Sequence, residues 1–125
     1  MEITCGTDII EIDRIKKCIE PSNDRFKERV YTEKEITYCE SKHNQKYQHY
    51  AVRFAGKEAV FKALSKYIDN KFEISWKDAE IINDETGRPK VTIYHDISRK
   101  IEKIDISMSH CKQYAIATVI ITWNL

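Results

Sequence analysis

The sequence has little that would mark a membrane, secreted or nucleic-acid-bound protein. No apolar run approaches the roughly 20 residues needed to span a bilayer. The opening Met1-Glu2-Ile3-Thr4 has no basic stretch leading into a long apolar one. The four cysteines, Cys5, Cys18, Cys39 and Cys111, include no CxxC pair, which fits neither a disulfide framework nor a zinc-ligand pattern. They read as reduced thiols, most of them packing residues, in a protein expected to be cytoplasmic. Lysine plus arginine number 21 against 20 acidic residues, so no global field draws the chain to nucleic acid or membrane, and a charged partner must meet a local patch. A Walker loop, a dinucleotide glycine fingerprint and a GxSxG nucleophile elbow are all missing. Phosphate recognition must therefore rest on side chains and a few loop amides, and a serine-histidine-acid hydrolase fits poorly.

At 125 residues and 42% hydrophobic content, the chain suits one domain, 1–125, with no repeats or low-complexity segments. Ile3 to Ile12 is nearly continuously apolar and reads as a strand buried on both faces. Asp13 is positioned to cap a short helix to about Ile19, and Pro21 to Asp24 supplies a turn before a helical stretch at Arg25 to Arg29. Thr32 with Glu35 forms a capping-box pattern for another helix. Ser41 to Gln48 reads as a connector to the longest helix, Tyr50 to about Tyr67. Phe72, Ile74 and Trp76 alternate with polar residues. Ala79–Ile82 and Val91–Tyr94 flank a long hairpin turn, Asp96 is placed to cap a helix through Lys103, and strands follow at Ile104–Ser109 and Tyr114–Trp123. Helices early and antiparallel strands late give an α+β fold, helices packed on an antiparallel sheet.

At about 100° per residue, the long helix places Arg53, Gly56, Lys57 and Tyr67 on a solvent face and Glu58 and Lys62 between apolar groups. Two readings of Glu58 and Lys62 stand: an i,i+4 surface pair, or a partly buried pair with a functional reason to be there. Asp8 lies inside an apolar strand, either satisfied by local donors or acting as a metal ligand. Asp8 and Glu58 together offer two hard oxygen donors, which suits magnesium completing its shell with waters and phosphates; Lys62, one turn from Glu58, is then in reach of those phosphates. Strand parity puts His110 on the Ile104, Ile106, Met108 face, as a satisfied core histidine or, redirected by a bend, a ligand contact. Thr86-Gly87-Arg88-Pro89 is a turn whose arginine is also suited to a phosphate.

Four segments, taken together and in order, resemble the small holo-acyl-carrier-protein synthases of the 4'-phosphopantetheinyl transferase superfamily. They are Gly6-Thr7-Asp8-Ile9-Ile10-Glu11-Ile12-Asp13-Arg14-Ile15, the run from Arg53 through Gly56-Lys57-Glu58-Ala59 and Lys62 to Leu64, Gly87-Arg88-Pro89, and Ser107-Met108-Ser109-His110. The resemblance runs almost end to end. It implies transfer of 4'-phosphopantetheine from coenzyme A to a serine of acyl carrier protein, in fatty acid biosynthesis. It further implies magnesium on Asp8 and Glu58 and Lys62 on the coenzyme A pyrophosphate, with Asp8, Glu58 and Lys62 forming the catalytic group. Arg53, His110 and the Gly87, Arg88, Pro89 turn are expected to bind coenzyme A. By the same resemblance Arg14, Arg25, Phe26 and Arg29 receive an acidic helix of the carrier, and adjacent subunits of a homotrimer share each site. The rival readings are a magnesium-dependent hydrolase of a nucleotide pyrophosphate and a non-catalytic domain that docks an acidic helix.

Overall fold

Strands β1 (Glu2–Glu11), β2 (Ala79–Asn83), β3 (Pro89–Ile93), β4 (Ile101–His110) and β5 (Tyr114–Trp123) build two antiparallel units. One is a three-stranded sheet in the order β1-β5-β4; the other is the β2-β3 hairpin. The computed structural model describes residues 1–70 and 73–125, so Phe72 of the alternating segment lies outside the described residues. Of that segment's other members, Ile74 is buried and Trp76 opens a single 3-10 turn, Trp76–Asp78, rather than a strand.

The sheet has one covered face. Gly6 and Ile10 of β1, Ile106 of β4, and Ala115, Ala117, Val119 and Ile121 of β5 point inward and are buried. The intervening residues Ile3, Ile9, Ile116 and Ile120 point out and are 42–61% exposed. β1 is therefore not buried on both faces: its apolar content serves two surfaces, and only one is covered within the chain.

That cover is α4 (Lys46–Leu64), which starts four residues before the expected Tyr50 because a 3-10 turn at His43–Gln45 leads straight into it. It stops at Leu64, and Ser65–Tyr67 tightens into another 3-10 turn. The helix can lie this close to β1 only because residue 6 is glycine: a Cβ there would stand 2.0 Å from the Ala59 carbonyl oxygen, a backbone atom that cannot step aside.

Three shorter helices, α1 (Ile12–Ile19), α2 (Arg25–Val30) and α3 (Glu33–Glu40), complete the helical side. Glu11 rather than Asp13 occupies the N-cap of α1, without a side-chain cap bond; Asp13 instead pairs with Lys17 one turn on. The expected capping box of α3 is present, with the Thr32 hydroxyl accepting from Glu35 N–H and the Glu35 carboxylate accepting from Thr32 N–H. The helix expected from Asp96 to Lys103 is only a 3-10 stretch to Lys100, capped by His95; from Ile101 the chain pairs with β5 as a strand.

Two other expectations change. Arg53, Gly56 and Lys57 are buried, not on a solvent face, because the β2-β3 hairpin and the segment before it pack over that side of α4. Among the cysteines only Cys39 is buried; Cys18 is half-buried and Cys5 and Cys111 are exposed. All four are free thiols.

Candidate active site

Asp8 shares the inward parity of Gly6 and Ile10 but sits toward the edge of α4, where its side chain keeps 21% of its exposure. Because Gly6 lets the helix settle on the strand, Glu58 and Lys62, one turn apart, come alongside it. Lys62 does not pair with Glu58 as an i,i+4 partner. Its ammonium reaches across to β1, donating to the Thr7 carbonyl at 2.9 Å and to Asp8 Oδ1 at 3.3 Å.

Glu58 is left in an unusual state. It is half-buried, and among the described residues no hydrogen-bond donor reaches its carboxylate. Burial pushes its carboxyl above the ordinary range, the charge of Asp8 adds to the push, and Lys62 opposes it. Two carboxylates near enough to repel, one lacking any donor, form a place suited to a cation. The donor set is all oxygen, and no group of three or more potential metal-ligating side chains occurs among the described residues. Two carboxylates fit an ion that keeps waters and takes ligands from its substrate, as magnesium does.

Asp8 and Glu58 line one recess of about 310 Å³ with Arg14, Phe26 and Phe54. Arg14 and Phe26 of the expected partner surface are thus beside the acidic pair. Phe26 stacks on Phe54 at 6.2 Å between ring centroids, which fixes it at the mouth. Arg25 and Arg29 are exposed on neighbouring α2, with Arg25 Nε donating to the Ser22 carbonyl at 3.3 Å. On its other side Glu58 borders a recess of about 680 Å³, walled by Phe61, Ile68, Ile74 and Trp76.

The remaining expected residues gather elsewhere. His110 is not a core histidine: it is exposed at the end of β4, its ring 6.2 Å from that of His49. His49 in turn meets Tyr38 edge-on at 5.5 Å, and the Arg53 guanidinium lies 4.4 Å over the same tyrosine. Arg53 is bound into the fold, Nε donating to the Ile81 carbonyl at 3.1 Å and Nη2 to Asn83 Oδ1 at 3.2 Å. Asn83 leads into the turn that carries Gly87, Arg88 and Pro89, where Gly87 takes the left-handed φ of 86°. His110 and Asp8 lie on the two outer strands of the sheet with β5 between them, about 10 Å of sheet width. The recess around Asp8 and Glu58 takes no lining from Arg53, His110 or the turn. The chain thus carries two clusters, an acidic one and a basic, aromatic one.

One participant is not marked by the helical pattern. Lys57, adjacent to Glu58, is fully buried and spends all three ammonium protons, on Glu35 Oε1 at 2.8 Å, the Trp76 carbonyl at 3.0 Å and the Ala79 carbonyl at 2.6 Å. It fastens Trp76, which stacks on Phe54 at 4.9 Å and meets Phe61 at 5.4 Å, positions four before and three after Glu58 on the helix. The available signal was Glu35, whose capping-box role turns a carboxylate into the protein, where a buried negative charge calls for a cation; Lys57 meets the capping oxygen Oε1, and Ile81 N–H meets Oε2.

The chain as a whole has close parallels among known proteins. Residues 4–119 match the 4'-phosphopantetheinyl transferase superfamily, and the chain belongs to that family. The similarity then narrows. The holo-acyl-carrier-protein synthase of Ruminiclostridium cellulolyticum is 44% identical over 128 residues, covering 98% of this chain and 93% of the relative. The Helicobacter pylori synthase crystallised with coenzyme A superposes with a TM-score of 0.82 at 32% identity, over 94% of this chain and 99% of that one. The Bacillus anthracis synthase, in complex with coenzyme A (3',5'-ADP), gives 0.78 at 34% identity over 94% of both chains.

Proposed function

We propose that this chain moves the 4'-phosphopantetheine arm of coenzyme A onto a serine of an acyl carrier protein, releasing 3',5'-ADP, the holo-acyl-carrier-protein synthase reaction of fatty acid biosynthesis. The observation that carries the reading is the Glu58 carboxylate, without a donor among the described residues, set beside Asp8 and Lys62 in a recess that Arg14 and Phe26 help to line. Asp8 and Glu58 would hold magnesium, which when bound neutralises charge on the pyrophosphate.

The chain's own groups do the rest. Lys62 is a flexible, half-exposed cation already within reach of Asp8, placed to turn toward a phosphate oxygen as charge builds there. The carrier serine oxygen forms the new bond to the phosphorus bearing the pantetheine arm, and the bond from that phosphorus to the bridging oxygen breaks. Glu58, beside the recess, is suited to take the serine proton through a water. Arg14, Arg25 and Arg29 meet the carboxylates of the carrier while Phe26 supplies an apolar contact at the mouth.

The nucleotide end of coenzyme A belongs with His110 and the Gly87-Arg88-Pro89 turn, with buried Arg53 behind them, bracing Ile81 and Asn83. The acidic and basic clusters of one chain share no recess, which suits what the family resemblance implies, a site completed by an adjacent copy within a homotrimer. The outward isoleucines Ile3, Ile9, Ile116 and Ile120, with Tyr114, support that arrangement, because exposed apolar side chains gathered on one sheet face, here around the hydrogen-bonded Thr7 and Thr118, are suited to burial against another copy. Free exposed thiols at Cys5 and Cys111 suit a reducing, cytoplasmic setting. No helix among the described residues is long and apolar enough to cross a membrane.

The test is the intact mass of an apo-carrier protein after incubation with this protein, coenzyme A and magnesium. A gain of about 340 Da, the mass of the arm, is expected, because the transferred group is coenzyme A's own. Cleaved coenzyme A with an unmodified carrier would favour the pyrophosphate hydrolase, and intact coenzyme A with a bound carrier the docking domain.

A further inference from the structure

Arg88 is held twice. Its backbone N–H donates to Asp84 Oδ1 at 3.0 Å, and its carbonyl accepts from Asp84 N–H at 2.8 Å, so the turn is closed on Asp84. Thr86 also donates to that same Oδ1, through its N–H at 2.9 Å and its hydroxyl at 2.6 Å. The side chain is held separately, from another unit of the fold. Arg88 Nη2 donates to both carboxylate oxygens of Asp105 on β4, each at 3.0 Å. Asp105 is fixed in turn, since its Oδ1 accepts from Ile106 N–H at 2.9 Å. Arg88 and Asp105 face each other across a crevice of about 170 Å³ between β3 and β4.

The way the pair meets decides what it does. A carboxylate that took Nε and one terminal nitrogen together would consume the edge with which arginine grips a phosphate. Here a single nitrogen, Nη2, bears both contacts, and among the described residues Nε and Nη1 donate to nothing. The guanidinium is thus tethered at one corner with its other N–H groups presented. Without the tether, Arg88 is a long exposed side chain on a hairpin tip, with several rotamers to lose on gripping a ligand.

We infer that Asp105 is a positioning residue that pre-orients Arg88 for a phosphate of coenzyme A. This rests on the assignment of the Gly87-Arg88-Pro89 turn to the nucleotide made above. Asp105 acts on affinity alone, since it touches neither the acidic pair nor Lys62. The size of the effect is bounded by exposure: both side chains are more than half exposed, and exposed ion pairs translate into affinity changes of about threefold.

The experiment is calorimetric titration of coenzyme A into the assembled protein as purified, with parallel turnover assays, for the parent, Arg88→Ala, Asp105→Asn, Asp105→Glu and the Arg88→Ala/Asp105→Asn double variant. Arg88→Ala is expected to weaken binding about tenfold, as loss of a charge-assisted contact does. Asp105→Asn is expected to weaken it about threefold and to raise KM equally with kcat unchanged, and Asp105→Glu to recover part of the loss. In the double variant Asp105→Asn should add nothing to Arg88→Ala, because it has no guanidinium left to orient. Parental or tighter affinity in Asp105→Asn, with Arg88→Ala weakened, overturns the inference and leaves the assignment of the turn standing. So does an Asp105→Asn loss that persists without Arg88. An Arg88→Ala variant that binds as the parent removes the assignment of the turn, and the inference with it.

Discussion

Lys57 and Glu58 are neighbours on one helix and opposites in every physical respect. Lys57 is fully buried, holds three acceptors and pairs with Glu35. Glu35 is also complete, accepting from Thr32 N–H at 2.9 Å and Ile81 N–H at 2.9 Å besides the ammonium. Glu58, about 100° round the helix, is half-buried, lacks a donor among the described residues and is pressed by the like charge of Asp8. A satisfied charge is committed to the fold, binding α4 to α3 and to the segment ahead of β2. An unsatisfied one is a standing cost to the fold that a ligand relieves, and strained electrostatics of this kind mark functional sites.

The largest effect comes from breaking the satisfied side. Lys57→Met strands the Glu35 carboxylate in the interior, and such a loss costs about 3–5 kcal/mol. A urea titration should show the midpoint falling accordingly. Glu35→Met/Lys57→Met should cost less than the two single changes summed, because neither charge is then left alone. Strict additivity would mean the pair is not coupled and Lys57 serves only the two carbonyls.

The opposite side should respond in the opposite way. Glu58→Gln is expected to reduce turnover by about 10²–10⁴-fold, the range for losing a proton-transfer group, while the urea midpoint holds or rises. A rise is the more informative result: amide for carboxylate removes both the burial penalty and the repulsion from Asp8. A variant that lost stability in step with activity would place Glu58 with Lys57, as a structural charge.

This contrast was half legible in the sequence. Asp8, Glu58 and Lys62 stood out because a charge among apolar residues is conspicuous, and the four segments of family resemblance placed them in order. The capping box of α3, the hairpin around Gly87 and the β4-β5 pair also followed from local chemistry, which a short window contains. Lys57 and Arg53 were misplaced for the complementary reason. Their faces of α4 carry no apolar signature, yet they are covered by carbonyls of the segment 76–81, more than 18 residues away in sequence. Helical period reports what a side chain prefers and is blind to an acceptor supplied from elsewhere. β1 looked buried on both faces because its apolar run is nearly continuous, and continuity cannot say whether the second face has a cover within the chain.

His49 applies the rule to a group able to escape its penalty by staying neutral, and the effect should be the smallest. Half-buried, it has Arg53, Lys42 and His110 around it and Tyr38 against its ring. Burial foremost, then the charges of Arg53 and Lys42, with His110 adjoining, pull its imidazolium from an ordinary 6.5 down to about 4. The folded protein therefore binds fewer protons than the unfolded chain between these values, so stability rises with pH across that window. The contribution of a neutral His49 is complete above about 6.5 and is lost as pH falls toward about 4. Urea midpoints of the parent should fall as acid is added over this interval, and His49→Phe, which fills the same space without a proton to gain, should fall less. Parallel curves for the two proteins would mean that His49 titrates normally, with water reaching the ring in spite of its packing against Tyr38 and His110.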